Sequence, residues 1–143
     1  MIKEIASEQT YVLRSEILRW GQVPPEKCGN PEDTLEGSFH LGYFEGENLV
    51  GIASFHIENM PDMPAKAYRL RGMAVAKTHQ NKGIGKKLVL HAIELLKQKN
   101  TDYLWCNART SAKYFYEKMN FEVFSDEFDI PNIGPHYRMR IKL

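Results

Sequence analysis

The chain has 143 residues, a length that suits one domain and that can bury a core without a disulfide or a metal. It is 43% hydrophobic and 26% charged, which is ordinary for a globular protein. Its formal net charge of +1 argues against a general nucleic-acid-binding protein, which usually carries a strongly basic face, but leaves a local basic site open.

The N-terminal quarter predicts a strand, a helix and a loop. Residues 2–5 favour a short strand. Over residues 7–20 apolar side chains recur at helical spacing, and Ser7 can cap the helix that they predict. Residues 21–37 are interrupted by glycines and prolines and predict a loop with room for a helical turn. The apolar positions of the helix are Leu13, Ile17 and Trp20.

A hairpin and a third strand are predicted next. Residues 39–44 and 49–57 are β-favouring runs, and the turn 45–48 between them predicts a hairpin. Residues 59–66 contain two prolines and predict a loop. Residues 68–75 predict a further strand.

The C-terminal half alternates between helices and strands. Residues 85–99 predict a long helix with an apolar stripe wide enough to cover a sheet, and residues 103–107 predict a short buried strand. Ser111 can cap a second, shorter helix. Residues 121–128 and 137–143 predict two final strands, and in the last one apolar and basic residues alternate, so one face is expected to be buried and the other solvated.

This order of elements predicts an α/β domain over residues 1–143, with a mixed sheet and helices on its faces. No apolar run approaches the ~20 residues of a membrane-spanning helix, and the N-terminus lacks the apolar segment of a signal peptide, so we expect a cytoplasmic protein without membrane contact. Cys28 and Cys106 are therefore expected to be free thiols. The five histidines are scattered without zinc-ligand spacing, so no metal site is predicted.

The most informative stretch is Gln80–Gly85, which lies between a predicted strand and the predicted long helix. The first N–H groups of a helix have no partner, and glycines let a ligand approach them closely. Lys82, Lys86 and Lys87 add positive charge beside the same turn. The stretch therefore predicts an anion cradle that is best suited to phosphate or pyrophosphate.

Three phosphate-binding patterns compete for this stretch. A Walker A loop needs Ser or Thr where Lys87 stands and a glycine where Gln80 stands. The dinucleotide fingerprint needs a third glycine where Leu88 stands. The third pattern, [QR]-x-x-G-x-[GA], is met at every defined position by Gln80–Gly85.

This third pattern and the downstream A-x-x-F-Y-E-K-x-x-F at 112–121 resemble the GNAT superfamily of acyl-CoA-dependent N-acyltransferases. The resemblance covers most of the chain. It implies a mixed, largely antiparallel twisted sheet of six to seven strands, with helices on both faces and a V-shaped splay between two central parallel strands. It also implies acetyl-CoA as cosubstrate, and a homodimer is an arrangement that many members adopt.

The resemblance implies the residues that hold coenzyme A. Asn107 and Arg109 are assigned to this site, and Arg109 stands where many members have Asn. The strand before the glycines is expected to pair its main chain with the pantetheine arm through Met73, Ala74 and Val75. The diphosphate is expected on Gln80, Asn81, Lys82, Gly83, Ile84, Gly85 and Lys86.

Acyl transfer to an amine sets three chemical requirements. A lysine-like amine has a pKa of about 10.4, so a base or a water relay must remove its proton, and His56 and Glu58 are the candidates. A strand N–H near Met73 can stabilise the oxyanion. Tyr116 matches the tyrosine that often protonates the leaving thiolate in the family, although its spacing also suits a core aromatic. Cys106 has no plausible partner and is expected to be a buried structural thiol.

We therefore predict an N-acetyltransferase that moves an acetyl group from acetyl-CoA to a primary amine by direct attack. The alternative is a non-catalytic acyl-CoA-binding module on the same fold. The acceptor, a small molecule or a peptide, is expected to contact the loops 20–38, 58–67 and 129–136. Arg14 and Arg19 are expected on the solvent-facing side of the first helix.

Overall fold

Strands and helices follow one another in the predicted order in the computed structural model, which describes all 143 residues. The α-helical segments are α1 (Tyr11–Leu13), α2 (Ile84–Gln98) and α3 (Lys113–Glu117). None of the helices combines the length and the apolar composition that crossing a membrane requires. The strands are β1 (Ile2–Ile5), β2 (Phe39–Glu45), β3 (Asn48–Ile57), β4 (Ala67–Val75), β5 (Tyr103–Arg109), β6 (Glu122–Val123), β7 (Phe128–Ile130) and β8 (Gly134–Lys142).

All eight strands form one open sheet in the order β1-β2-β3-β4-β5-β8-β6, with β7 also paired to β8. Every neighbouring pair is antiparallel except β4 and β5, which run parallel at the centre of the sheet. The mixed, largely antiparallel sheet implied by the resemblance is confirmed, with one strand more than the six to seven expected.

The parallel strands β4 and β5 pair over three residues only, from Ala67 opposite Tyr103 to Arg69 opposite Trp105. Past Arg69, β4 is paired only with β3, and past Trp105, β5 is paired only with β8, so the two strands diverge. A β-bulge in β4, where Gly72 has a φ of +69°, bends the strand just beyond this point. The predicted V-shaped splay is therefore confirmed, and the facing main-chain edges of both strands have no strand partner.

Helices cover both faces of the sheet, as predicted. On one face α2 packs its apolar stripe against Phe55 and Leu104. On the other face Leu13 of α1 packs against Ile52 and Ala74. Each fully buried leucine of α2 contributes roughly 1.5–3 kcal/mol of transfer free energy, so this helix fixes the position of the loop that precedes it.

The first helical segment is irregular. It consists of a 3₁₀ turn over Ser7–Thr10, the single turn of α1, and a π-helical turn over Arg14–Leu18. The prediction that Ser7 caps it is wrong, because Ser7 is already the first helical residue. The N–H of Ala6 donates instead to the side-chain oxygen of Gln9 at 2.9 Å.

The π-helical turn decides which side chains of this segment are buried. The N–H of Arg19 donates to the carbonyl of Arg14, one residue further back than in an α-helix. The extra residue turns Arg14 and Ser15 inward, where both are buried, whereas Trp20 is 59% exposed. The prediction of a solvated Arg14 is wrong, and Trp20 does not share the buried side of Leu13, because the spacing assumed 3.6 residues per turn; Arg19 is exposed, as predicted.

Three further local features differ from the prediction. The loop 21–37 contains two 3₁₀ turns instead of one helical turn, over Pro25–Lys27 and Pro31–Thr34. A 3₁₀ turn at Thr110–Ala112 precedes α3, so Ser111 lies inside that turn and is not a cap. β8 begins at Gly134, before the predicted 137. The chain leaves α3 through Asn120, whose φ of +72° is a left-handed conformation that commonly follows a helix.

The predicted strand 121–128 is two short strands, β6 and β7, with an interruption between them. The N–H of Phe124 still donates to the carbonyl of Arg138, but the N–H of Arg138 donates to the hydroxyl of Ser125 at 2.9 Å. A side chain thus replaces a main-chain acceptor, and the ladder stops.

The alternation in β8 is only partly realised. Met139 is fully buried on the core face, as predicted. On the other face Arg138 and Arg140 are half-buried, because their guanidinium groups lie over the rings of Phe128 (5.3 Å) and Phe124 (4.8 Å). The face predicted to be solvated is therefore partly covered.

Candidate active site

The residues Gln80–Lys86, called the glycine loop below, follow a 3₁₀ turn at Lys77–His79 and lead through left-handed backbone into the first turn of α2. Asn81 has a φ of +64° and Gly83 a φ of +79°. Among the hydrogen bonds of the protein, no main-chain N–H from Gln80 to Lys86 has a protein acceptor, and Lys87, which donates to the carbonyl of Gly83, is the first that is paired. Consecutive free N–H groups at the start of a 15-residue helix match the requirements of a diphosphate.

Side chains around the glycine loop fall into two groups. Lys82, Lys86 and Lys87 are exposed and add positive charge without fixing its position. Gln80 donates from its amide to the carbonyl of Val75 at 3.1 Å and so ties the loop to the end of β4. Ile84 is buried in the main core, so only its main-chain N–H is available to a ligand.

The two glycines of the pattern differ in what they permit. A Cβ on Gly85 would lie 3.5 Å from Phe115 and 3.6 Å from Met73, which is ordinary van der Waals contact. Alanine therefore fits there sterically, in agreement with the G-or-A position of the pattern. A Cβ on Gly83 would meet no atom within 4 Å but would sit on left-handed backbone, which disfavours side chains.

A cleft of about 840 Å³ opens where β4 and β5 diverge. One wall is the β4 segment from Arg69 to Met73, and the other is the β5 segment from Cys106 to Arg109. The glycine loop is not among the residues that line it, so the cleft and the loop are two separate regions of the surface.

Tyr116 of α3 lines the cleft and is almost fully buried. Burial, and then the neighbouring thiol of Cys106, raise the pKa of Tyr116 well above its ordinary value. Burial likewise raises the pKa of Cys106 to about 12. Both groups keep their protons at neutral pH, so Tyr116 presents a protonated hydroxyl group at the cleft wall and Cys106 is a thiol, not a thiolate.

The remaining residues assigned to coenzyme A occupy different positions. Met73 lines the cleft, whereas Ala74 is buried against the α1 side of the sheet. Asn107 also lines the cleft, and its side-chain oxygen is buried without a hydrogen-bond partner. Arg109 is exposed at the cleft, with its guanidinium 5.7 Å from the ring of Trp20.

His56 and Glu58 lie together but not on the cleft wall. The ring Nε2 of His56 is 2.9 Å from a carboxylate oxygen of Glu58, and Arg69 approaches the other oxygen at 3.3 Å. Burial alone would raise the pKa of Glu58, but the hydrogen bond from His56 and the charge of Arg69 outweigh it and lower the pKa. Of these three residues only Arg69 lines the cleft, and a carboxylate with a lowered pKa is a weaker base.

Sequence patterns did not reveal the buried network behind the cleft. Arg14, which lines the cleft, donates two hydrogen bonds to the carboxylate of Asp33 (2.7 and 2.8 Å) and one to the hydroxyl of Ser54 (2.8 Å). His40 reaches the same hydroxyl through Nδ1 at 2.7 Å. A polar run such as Arg14-Ser15 inside an amphipathic helix is the only signal in the sequence, and it also fits a solvated face.

The electrostatics of this network are set by one ion pair. The side chains of Arg14 and Asp33 are 4% and 6% exposed. Burial alone would raise the pKa of Asp33, but hydrogen bonds from Arg14 and from the N–H of Asn30, with the Arg14 charge, outweigh it and lower the pKa. The carboxylate is therefore ionised at neutral pH and fixes Arg14 in place.

Two of the three predicted acceptor loops reach the cleft. Residues from Trp20 to Asn30 line one side, and residues from Ile130 to His136 line another. The loop 58–67 contributes no lining residue, and its role in acceptor binding stays a prediction; Trp105 holds the first residue of that loop by donating to the carbonyl of Glu58 at 2.8 Å. No three His, Cys, Asp or Glu side chains are grouped to hold a metal ion.

The sequence is similar to known acyltransferases. Residues 4–121 match the model of the acetyltransferase (GNAT) family. Over 139 residues the chain is 42% identical to the uncharacterized N-acetyltransferase YitI of Bacillus subtilis (strain 168), an alignment that covers 96% of this chain and 93% of that protein.

Solved structures share the fold at low identity. An acyl-CoA N-acyltransferase from Pseudomonas aeruginosa matches with a TM-score of 0.77 at 16% identity, over 98% of this chain and 96% of that one. An aminoglycoside 6'-N-acetyltransferase complexed with coenzyme A matches with a TM-score of 0.71 at 14% identity, over 99% and 96% of the two chains.

Proposed function

Since the chain belongs to the GNAT acetyltransferase family and is an acyl-CoA-dependent N-acyltransferase, we propose that it moves an acetyl group from acetyl-CoA to a primary amine by direct attack. One observation carries the proposal. The run of main-chain N–H groups without protein acceptors in the glycine loop is separated by only the four residues 76–79 from the strand that forms one wall of the β4–β5 cleft. A carrier with a diphosphate at one end and a thioester at the other fits that succession.

The glycine loop holds the diphosphate in this proposal. Its free N–H groups donate hydrogen bonds to the phosphate oxygens, and the helix dipole of α2 favours negative charge at the same place. The exposed lysines Lys82, Lys86 and Lys87 add attraction that salt screens. Gln80 acts indirectly, because its bond to Val75 keeps the loop aligned with the end of β4.

The diverging strands hold the pantetheine arm. The main chain of β4 from Met73 to Val75 has no strand partner on the β5 side, so its free polar groups can pair with amides of the arm. On the other wall, the unpartnered side-chain oxygen of Asn107 accepts from an amide N–H. Arg109 assists at the exposed end of the same strand.

Tyr116 acts as the acid of the reaction. An N–C bond forms, the C–S bond breaks, and one amine proton must end on the sulfur. A free thiol has a pKa of about 8.5 and Tyr116 a much higher one, so Tyr116 first stabilises the thiolate by a hydrogen bond. It delivers its proton only as the amine proton replaces it, so no covalent enzyme intermediate is needed.

A water relay removes the first proton from the amine. His56 and Glu58 stand behind Arg69, and a lowered carboxylate pKa disfavours Glu58 as a single base. We therefore assign the pair to the outer end of the relay. The acceptor enters from the side where residues 20–30 and 130–136 line the cleft.

The test measures binding and turnover separately. Titration of coenzyme A followed by calorimetry should give saturable heat, and thiol release from acetyl-CoA should require an added amine from a panel of small amines and peptides. Longer acyl-CoAs in the same assay define the acyl group. Saturable binding with no thiol release for any amine would overturn the enzyme proposal in favour of a non-catalytic acyl-CoA-binding module, and no binding at all would overturn both.

A further inference from the structure

The walls of the cleft carry much more positive charge than the net charge of the whole chain would suggest. The sequence contains seven arginines and has a formal net charge of +1. No lysine, aspartate or glutamate is among the residues that line the cleft. The ionisable side chains on its walls, apart from Cys28, Cys106 and Tyr116, are Arg14, Arg19, Arg69, Arg71, Arg109 and His136.

The charges of three of these arginines are compensated by carboxylates that do not line the cleft. Arg14 pairs with Asp33 at 2.7 Å, and Arg69 and Arg71 pair with Glu58 and Glu32 at 3.3 and 3.6 Å.

Arg19 and Arg109 form no ion pair. Both are exposed, and Trp20, beside Arg19 in sequence, lies 5.7 Å from the guanidinium carbon of Arg109. The surplus positive charge therefore stands at the mouth of the cleft.

Two of the three ion-paired arginines also carry hydrogen-bond donors that have no partner. Two buried guanidinium atoms, Nε of Arg14 and Nε of Arg69, have no hydrogen-bond partner. A buried donor without a partner is unfavourable, and a bound acceptor oxygen removes that cost. The Nε of Arg14 lies against the β4 bulge, 3.5 Å from where a Cβ of Gly72 would stand, so it is directed towards the cleft wall.

The acyl carrier does not account for this charge. Its phosphates belong to the glycine loop, which is not part of the cleft lining, and its pantetheine arm and acetyl group are uncharged. The oxyanion of the transfer is a single transient charge. The remaining reactant is the amine acceptor.

We infer that the acceptor carries an anionic oxygen group, carboxylate or phosphate, in addition to its amine. This inference rests on the proposed function and narrows its substrate class. Arginine suits the role because its planar fork donates two hydrogen bonds to either group. The anion faces Arg19 at the mouth, together with Arg109, whose charge the neighbouring uncharged pantetheine arm leaves available, and this places the amine deeper in the cleft, towards Tyr116.

Matched acceptor pairs test the inference. β-Alanine is compared with β-alaninamide, and phosphoethanolamine with ethanolamine, by thiol release from acetyl-CoA. We expect kcat/KM to be at least about tenfold higher for one anionic member than for its neutral partner, since a fixed charge contributes on the order of one such factor. The two pairs distinguish carboxylate from phosphate. The preference should shrink as salt rises from about 0.05 to 0.5 M, because exposed charges are screened.

Variants at the mouth sharpen the test. Arg19→Gln should reduce the anionic-to-neutral ratio about threefold, as expected for one exposed charge, and Arg19→Glu about tenfold. Arg19 is exposed and unpaired, so both variants should keep the parent melting temperature. Arg140→Gln is the matched control, since Arg140 pairs with Glu122 away from the cleft and the ratio should not change.

A second readout does not depend on turnover. N-acetyl-β-alanine should bind the protein saturated with coenzyme A more tightly than its amide does, as measured by calorimetry. Equal or better turnover of both neutral amines, with equal binding of both products, would overturn the inference and leave the proposed acyltransferase intact. Loss of thiol release with every amine would instead overturn the proposed function, and the inference with it.

Discussion

The glycine loop presents main-chain N–H groups from seven consecutive residues, whereas the cleft presents side chains gathered from the π-helical turn, β4, β5, α3 and the turn before β8. The loop needs only its own left-handed residues and the start of α2. The cleft needs the π-helical turn, the bulge at Gly72 and the divergence of two strands to be present together.

The two regions are therefore sensitive to substitutions at different positions. Local backbone conformation can be damaged only by changes within the loop. Side chains assembled over long range can be displaced by a residue that no ligand touches, and Asp33 is such a residue, because it holds Arg14 at the wall without lining the cleft itself.

The largest expected effect is therefore on the assembly of the cleft. Asp33→Asn keeps the size of the side chain but leaves the buried guanidinium of Arg14 without its counter-charge. Breaking a buried pair costs about 3 kcal/mol or more, a factor above one hundred in the unfolding equilibrium. Urea unfolding measures this loss. Asp62→Asn, an exposed carboxylate without an ion pair, should stay within about 0.5 kcal/mol of the parent.

The pH dependence of the unfolding free energy tests the same ion pair. The folded-state pKa of Asp33 is lowered from its ordinary value of 3.8, so its stabilising contribution is complete above that value and is lost as pH falls through the folded-state pKa. The gap in unfolding free energy between parent and Asp33→Asn should be constant from pH 7 to about 4 and then narrow. A gap that widens in acid would contradict the assignment.

The next effect is chemical and confined to the cleft. Tyr116→Phe removes the proposed proton donor and leaves the ring packed against Phe121 and Phe115. We expect kcat for thiol release to fall about a hundredfold, the lower range for loss of a general acid, with coenzyme A affinity unchanged.

The matched control for this prediction is Tyr114→Phe on the same helix, since Tyr114 is 68% exposed and should tolerate the change. A Tyr116→Phe variant with parental kcat would leave Tyr116 as a core aromatic only.

The smallest effect belongs to the glycine loop. Gly83→Ala puts a Cβ on left-handed backbone, which costs about 1–2 kcal/mol, and brings a methyl group to the phosphate site. The KM for acetyl-CoA should rise about tenfold, while selectivity among amines stays constant.

Gly46→Ala in the β2–β3 turn is the control, because Gly46 has a φ of +61° and equally open surroundings. Both variants should lose similar stability in urea unfolding. If Gly46→Ala raised the KM for acetyl-CoA equally, the loop would have no special role.

Sequence patterns predicted the loop and missed much of the cleft for the same physical reason. Gln80–Gly85 and Asn120 act through local backbone conformation, which residue type largely decides. Arg14 depends on an i to i+5 hydrogen bond that no hydrophobic period signals, so a regular helix places it in solvent. The interruption between β6 and β7 depends on Ser125 meeting Arg138, thirteen residues away in sequence.

The positions of the candidate catalytic side chains could be predicted from the sequence only in part. Tyr116 could be placed on a helix from its spacing, but its position on the cleft wall follows from α3 packing beneath β5. His56 and Glu58 precede the strand β4 in sequence, yet Glu58 pairs with both His56 and Arg69 and neither His56 nor Glu58 lines the cleft.

Only three residue pairs fasten β4 to β5, so the sheet consists of two halves hinged near its middle. A ligand arm bound between the halves can form hydrogen bonds with the unpaired main-chain edges of both strands. Occupancy then couples to the rigidity of the entire sheet, and the protein should gain thermal stability in proportion to the logarithm of ligand concentration once the ligand is well above its dissociation constant.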